Sequence, residues 1–130
     1  MKYYAVIDTN VLVSALLKRN SVPDLIIGLV FNDLIVPVLN KDIEKEYQAV
    51  LSRGKFHFPD TLVNGLIDAF RRHGLYVDAA KLDIDMPDPK DRVFYEVTMK
   101  KRQEDDTYLV TGNTRHFPHS LYCRDASSDA

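Results

Sequence analysis

Asp8, Glu46, Asp91 and the turn Thr111–Asn113 are the residues of this chain whose types and settings could do chemistry. Carboxylates gathered in one cleft repel each other. Hard divalent cations such as Mg²⁺ or Mn²⁺ relieve that repulsion through oxygen ligands. Such cations bind phosphate oxygens and generate hydroxide for in-line attack on a phosphodiester. Whether these residues meet depends on the elements that carry them.

Asp8 interrupts the apolar run YYAVIDTNVLVSALL, with Thr9 and Asn10 behind it. Its ordinary role would be an N-cap, accepting hydrogen bonds from the backbone of the helix that follows. Glu46 stands beside the apolar stripe Ile43, Tyr47, Val50 and Leu51 of a helix, one turn before Val50. A carboxylate at that border needs a partner or a path to water. In MPDPKDRVF, Asp88 can be an N-cap, Pro89 the first helical residue and Asp91 the third, an arrangement resembling a capping box. Asp88 is therefore read as structural. Asp91 lies one turn before Phe94 on the apolar face and can look inward. In YLVTGNTRHF, Gly112 permits a tight turn after a strand, leaving Thr111 and Asn113 at the strand's carboxyl end.

The remaining polar clusters have plainer readings. His116 and His119 could bind a softer metal or act in acid–base chemistry. No Cys or His cluster supports a zinc site, and they are read as surface residues. Asp105 and Asp106 are read as solvated loop residues. Lys100, Lys101 and Arg102, like Arg71 and Arg72, are read as solvated helix faces.

Tyr3 to Ile7 predicts a buried strand and Val11 to Lys18 a helix. Pro23 opens a second helix to about Asn32. DLIVPVL predicts a strand, and Asn40 caps a helix from Lys41 to about Ser52. Pro59 starts a further helix that stops at Gly74. LYV, TYLVT and LYC predict short strands, with a helix from Asp91 to Arg102 and a loop GNTRHFPHS. Strands alternating with helices imply a mostly parallel sheet covered on both faces. Ligands of such sheets sit beyond the carboxyl ends of the strands. Asp8 and Thr111 both follow strands directly.

The chain has 130 residues, 45% hydrophobic and 28% charged, which suits one domain with its own core. The expected domain spans residues 1–130, with about 125–130 as a frayed polar tail. One cysteine, Cys123, excludes an intrachain disulfide framework. No apolar stretch is long enough to span a bilayer, and no secretory pattern opens the chain, so a cytoplasmic location is expected. A net charge of −2 does not suggest a general nucleic-acid coat protein.

In this order and spacing, VIDTNVLVSALL, DIEKEYQAVL, DPKDRVF and YLVTGNTRHF resemble the four segments of the PIN-domain ribonucleases, over nearly the whole chain. The branch it most resembles is that of the toxin components of toxin–antitoxin systems. The resemblance implies a three-layer α/β/α fold and a Mg²⁺- or Mn²⁺-dependent endonuclease acting on single-stranded RNA. It makes Asp8, Glu46 and Asp91 the metal-binding acids, with Thr111 and Asn113 as the threonine and fourth polar position. It also implies homodimers and, for toxin members, an antitoxin in the active site. Asn10 is expected to orient Asp8 from behind. Two departures stand out: many members carry aspartate where this chain has Asn113, and VFYEVTMKKRQEDD is less apolar than in the family, which implies a more exposed helix or one that serves an interface.

Two other functions compete. A haloacid-dehalogenase-type phosphatase needs a second aspartate two residues after the first, where this chain has Asn10. A catalytically weakened PIN-like module that binds RNA or protein is the alternative that Asn113 allows.

Overall fold

The computed structural model describes residues 3–77, 92–104 and 106–111 in full, and 123–125 as backbone. The element order is β1 (Tyr3–Ile7), α1 (Thr9–Leu17), α2 (Val22–Phe31), β2 (Ile35–Leu39), α3 (Lys41–Leu51), α4 (Asp60–His73), β3 (Leu75–Tyr76), α5 (Arg92–Arg102), β4 (Thr107–Thr111) and β5 (Cys123–Asp125). A single 3-10 turn, Gly54–Phe56, joins α3 to α4 and was not expected from the sequence.

The strands form one sheet in the order β3-β2-β1-β4-β5, and every pairing among them is parallel. The fold is a three-layer α/β/α sandwich. Central β1 ends in the fully buried pair Val6 and Ile7, as a strand covered on both faces must. Alternation divides its side chains. Tyr3 and Ala5, with Tyr108 and Val110 of β4, face Ile26 and Leu29 of α2 across an apolar hollow of about 480 Å³. Tyr4 faces the other way, under the Lys101 ammonium of α5 at 4.3 Å from its ring.

The sheet order fixes the place of the site. The chain steps outward from β1 to β2 and β3, then returns to lay β4 on the opposite side of β1. Crossovers in parallel sheets keep one hand, so this reversal puts helices on both faces and places the topological switch point between β1 and β4, at the carboxyl ends where ligands of such sheets bind. Asp8 and Thr111 stand at those two ends.

Helix boundaries follow local chemistry. Ser21 accepts from Asp24 N and Asn40 Oδ1 accepts from Ile43 N at 2.8 Å, each closing a helix N-terminus. Gly74 ends α4 for want of room, not for a left-handed backbone. Its φ is −92°, but a Cβ there would stand 2.3 Å from Phe70 O and 2.9 Å from Pro37 O. The gap lets α4 turn directly into β3 against β2.

The expected exposure of α5 is corrected. Glu96 and Lys101 of α5 are buried despite the charged sequence of that helix. Lys101 manages this by lying over Tyr4 and reaching Glu104 Oε2 at 3.3 Å, with its apolar stem inside. At the other edge of the sheet, β5 pairs Arg124 with Val110 and Asp125 with Thr111.

Candidate active site

Strand β1 stops at Ile7, and Asp8 has the extended backbone of an N-cap, with φ −62° and ψ 143°. Its position is the one that capping would require. Its side chain does not cap: no hydrogen bond from the α1 backbone reaches it. Instead Thr111 Oγ1 donates to Asp8 Oδ2 at 2.7 Å, across 103 residues of sequence. The backbone sets up this meeting. Ile7 pairs with Val110 in register, and Asp8 N donates to Val110 O at 2.9 Å. The next residues along each strand, Asp8 and Thr111, therefore share one face, opposite the apolar hollow.

Both groups are inside the protein. Asp8 is 5% exposed and Thr111 fully buried. Beside them Thr9 is 4% exposed, and its Oγ1 is buried with no hydrogen-bond partner among the described residues. A buried unsatisfied hydroxyl is costly, and in native proteins it commonly marks a place for water or an ion.

Helix α3 is fastened to the same corner. Tyr47 lies wholly inside, and its hydroxyl donates to Ile7 O at 2.6 Å. Its ring packs edge-on against Phe70 of α4, with centroids 5.7 Å apart, and tilted against Phe94 of α5 at 6.1 Å. Burial, and after it the nearby charge of Asp8, hold the Tyr47 hydroxyl well above its ordinary pKa. It thus stays a donor over the whole working pH range. The sequence reading placed Tyr47 in an apolar stripe and missed this anchor. The available signal was a tyrosine, not a phenylalanine, at a fully inward position.

The other expected residues fall as follows. Glu46 is half-buried on α3, one residue before the Tyr47 anchor. Asn10 is exposed in the first turn of α1 and makes no side-chain hydrogen bond among the described residues. Asp88, Asp91, Asn113, His116 and His119 lie outside the described residues. Among the described residues, no three His, Cys, Asp or Glu side chains gather to hold a metal. The Asp8 carboxylate and the Thr111 hydroxyl that meets it, with the buried Thr9 hydroxyl one residue on, are oxygen groups of the kind a hard cation takes.

The strand order thus reverses beside β1, and the buried Asp8 carboxylate, oriented by Thr111, stands at that switch point of the parallel sheet. A family model described as a PIN domain matches residues 4–115, and the chain belongs to the PIN-domain family. PIN domains are generally nucleases, and they typically use divalent metals. No curated protein and no solved structure matches the chain significantly. Among the described residues, no helix is long and apolar enough to cross a membrane.

Proposed function

We propose that this PIN domain is a Mg²⁺- or Mn²⁺-dependent endoribonuclease that hydrolyses phosphodiester bonds of single-stranded RNA. In this reading it is the toxin of a toxin–antitoxin pair, works in the cytoplasm as a homodimer, and is held in check by an antitoxin. The observation that carries the nuclease reading is Asp8: an N-cap residue whose carboxylate is oriented by Thr111 rather than spent on the helix.

Asp8, Glu46 and Asp91 would hold the cation. When bound, it would neutralise charge on the phosphate and acidify a water. Thr111 is a neutral donor, so its bond orients Asp8 without adding a countercharge of its own. Tyr47 fixes the end of β1 against α3, which keeps Glu46 at a constant distance from the strand end. Asn113 would orient a water or a neighbouring carboxylate. Cleavage would leave a 5′-phosphate and a 3′-hydroxyl.

The test is cleavage of a mixed-sequence single-stranded RNA in Mg²⁺, in Mn²⁺ and in EDTA, with Asp8→Asn beside the wild type. Cutting that needs metal and disappears in the variant supports the proposal. Equal cutting by Asp8→Asn removes it. Binding of RNA by folded wild-type protein without cutting favours the weakened binding module instead. The toxin reading has its own check: a small antitoxin gene should adjoin the reading frame.

A further inference from the structure

Between α3 and α4 the chain reads SRGKFHFP, from Ser52 to Pro59. No acidic residue occurs from Gln48 to Pro59, in a chain whose net charge is −2. Phe56 and Phe58 stack nearly parallel, with centroids 5.4 Å apart and 11° between planes. The residue between them, His57, is held in the left-handed region at φ 56°, a conformation non-glycine residues rarely adopt. Lys55 lays its ammonium 5.1 Å from the Phe56 ring centroid, on an exposed side chain. Arg53, Lys55 and His57 are all exposed, and no ion pair engages them among the described residues. A Cβ added at Gly54 would meet nothing within 4 Å, so the ground before the pair is open.

Both rings also rest against the core and stay partly exposed. A plug for the core would explain two phenylalanines. It would not explain interleaved exposed cations or a backbone twisted to bring the rings face to face. That combination is what single-stranded nucleic acids select: aromatic faces for bases, cations for phosphates. Helical rise and chain reach together put Phe56 within about 20 Å of Tyr47, the anchor of the Asp8 corner. That is within the span of a strand of several nucleotides.

We propose that Phe56 and Phe58, with Arg53 and Lys55, form a base-stacking platform that holds single-stranded RNA flanking the cleavage site. The lysine exchanges its ring contact for a phosphate, and a base takes its place. The proposal rests on the nuclease reading for its substrate, but binding and cleavage are measured separately.

The experiment is fluorescence anisotropy of a labelled twelve-nucleotide oligouridine in EDTA, where no cutting occurs, with cleavage in Mg²⁺ measured in parallel. Phe56→Leu should weaken binding about tenfold or more, and Phe56→Trp should restore it. Lys55→Gln should flatten the salt dependence of log affinity by about 0.7, one phosphate contact to a single strand. Equal affinity in Phe56→Leu overturns the platform and leaves the nuclease reading intact. So does a loss that Phe56→Trp fails to restore. If Phe56→Leu does not fold by circular dichroism, the Lys55→Gln slope decides: an unchanged slope overturns the proposal. RNA binding that fits the platform without metal-dependent cutting would sink the nuclease reading alone.

Discussion

Two carboxylates of this protein, Asp8 and Glu44, are held in opposite ways. Glu44 lies on the surface of α3 and is gripped by a guanidinium. Arg71 Nε donates to its Oε1 at 2.7 Å and Arg71 Nη2 to its Oε2 at 3.2 Å. The Tyr76 hydroxyl adds a third bond, so α3, α4 and β3 are tied at one point. Asp8 is buried and receives its bond from Thr111, a neutral hydroxyl. A guanidinium orients and neutralises together. A hydroxyl orients without bringing a charge of its own. Glu44 is a surface fastening, whereas Asp8 is held inside, at the carboxyl edge of the sheet where the site is proposed.

The largest effect that would break this contrast is on Asp8 itself. Asp8→Asn keeps the shape and removes the charge, and should lower the RNA cleavage rate at least about a hundredfold, in line with loss of a key electrostatic element. Circular dichroism should show the fold retained. Next comes Thr111→Val, nearly the same volume with no donor. It should cost roughly 1–3 kcal/mol in urea unfolding, the range for leaving a buried acceptor short of its partner. It should also reduce cleavage about ten- to a hundredfold, as supporting partners of metal ligands do. Thr111→Ser should recover most of both. If Thr111→Val cuts at the wild-type rate, the orienting bond has no part in the chemistry.

Tyr47→Phe keeps the ring packing and loses the bond to Ile7 O, so its cost should be about 1 kcal/mol by urea unfolding. The smallest effect belongs to Glu44→Gln. An exposed pair of this kind contributes little to stability, less still at high salt, and cleavage should be unchanged. Its pH dependence is the sharper reading. The hydrogen bond from Arg71 chiefly holds Glu44 below its ordinary value of 4.5. A depressed folded pKa stabilises the protein above the unfolded value and ceases to do so as pH falls through the folded one. The stability gap between wild type and Glu44→Gln should thus be present at neutral pH and vanish in acid below pH 4.5. Tyr76 acts at the alkaline end. Desolvation, then its bond to Glu44, raise it to about 12. Its share of stability should be intact below pH 10, its ordinary value, and fade as pH rises towards 12.

The strands and helices around the site were legible because their signals are local. An apolar run ended by Asp8, proline at the start of α2 and Asn40 before α3 each act within a turn of chain. The miscast residues are those decided by distant neighbours. Lys101 looked solvated because lysine usually is, yet Tyr4 gave it a ring to lie on. Gly74 looked like an ordinary helix stop, yet the constraint is the nearness of Pro37 and Leu39. The stacked pair Phe56 and Phe58 carried no periodic signal, since a two-residue spacing beside a proline fits a strand or a loop equally well.

The sequence by itself determined the alternation of strand and helix, hence a parallel sheet, and hence that polar residues following strands would gather along one edge. It also determined which carboxylates were candidates, through their placement beside apolar faces. Tertiary structure alone decided that β4 returns beside β1, so that Thr111 reaches Asp8 and frees it from capping, and that Tyr47 pins α3 to the same corner. The physical reason is range: propensity and capping act over a few residues, whereas the Thr111–Asp8 bond joins groups 103 residues apart and exists only once the sheet has closed between them.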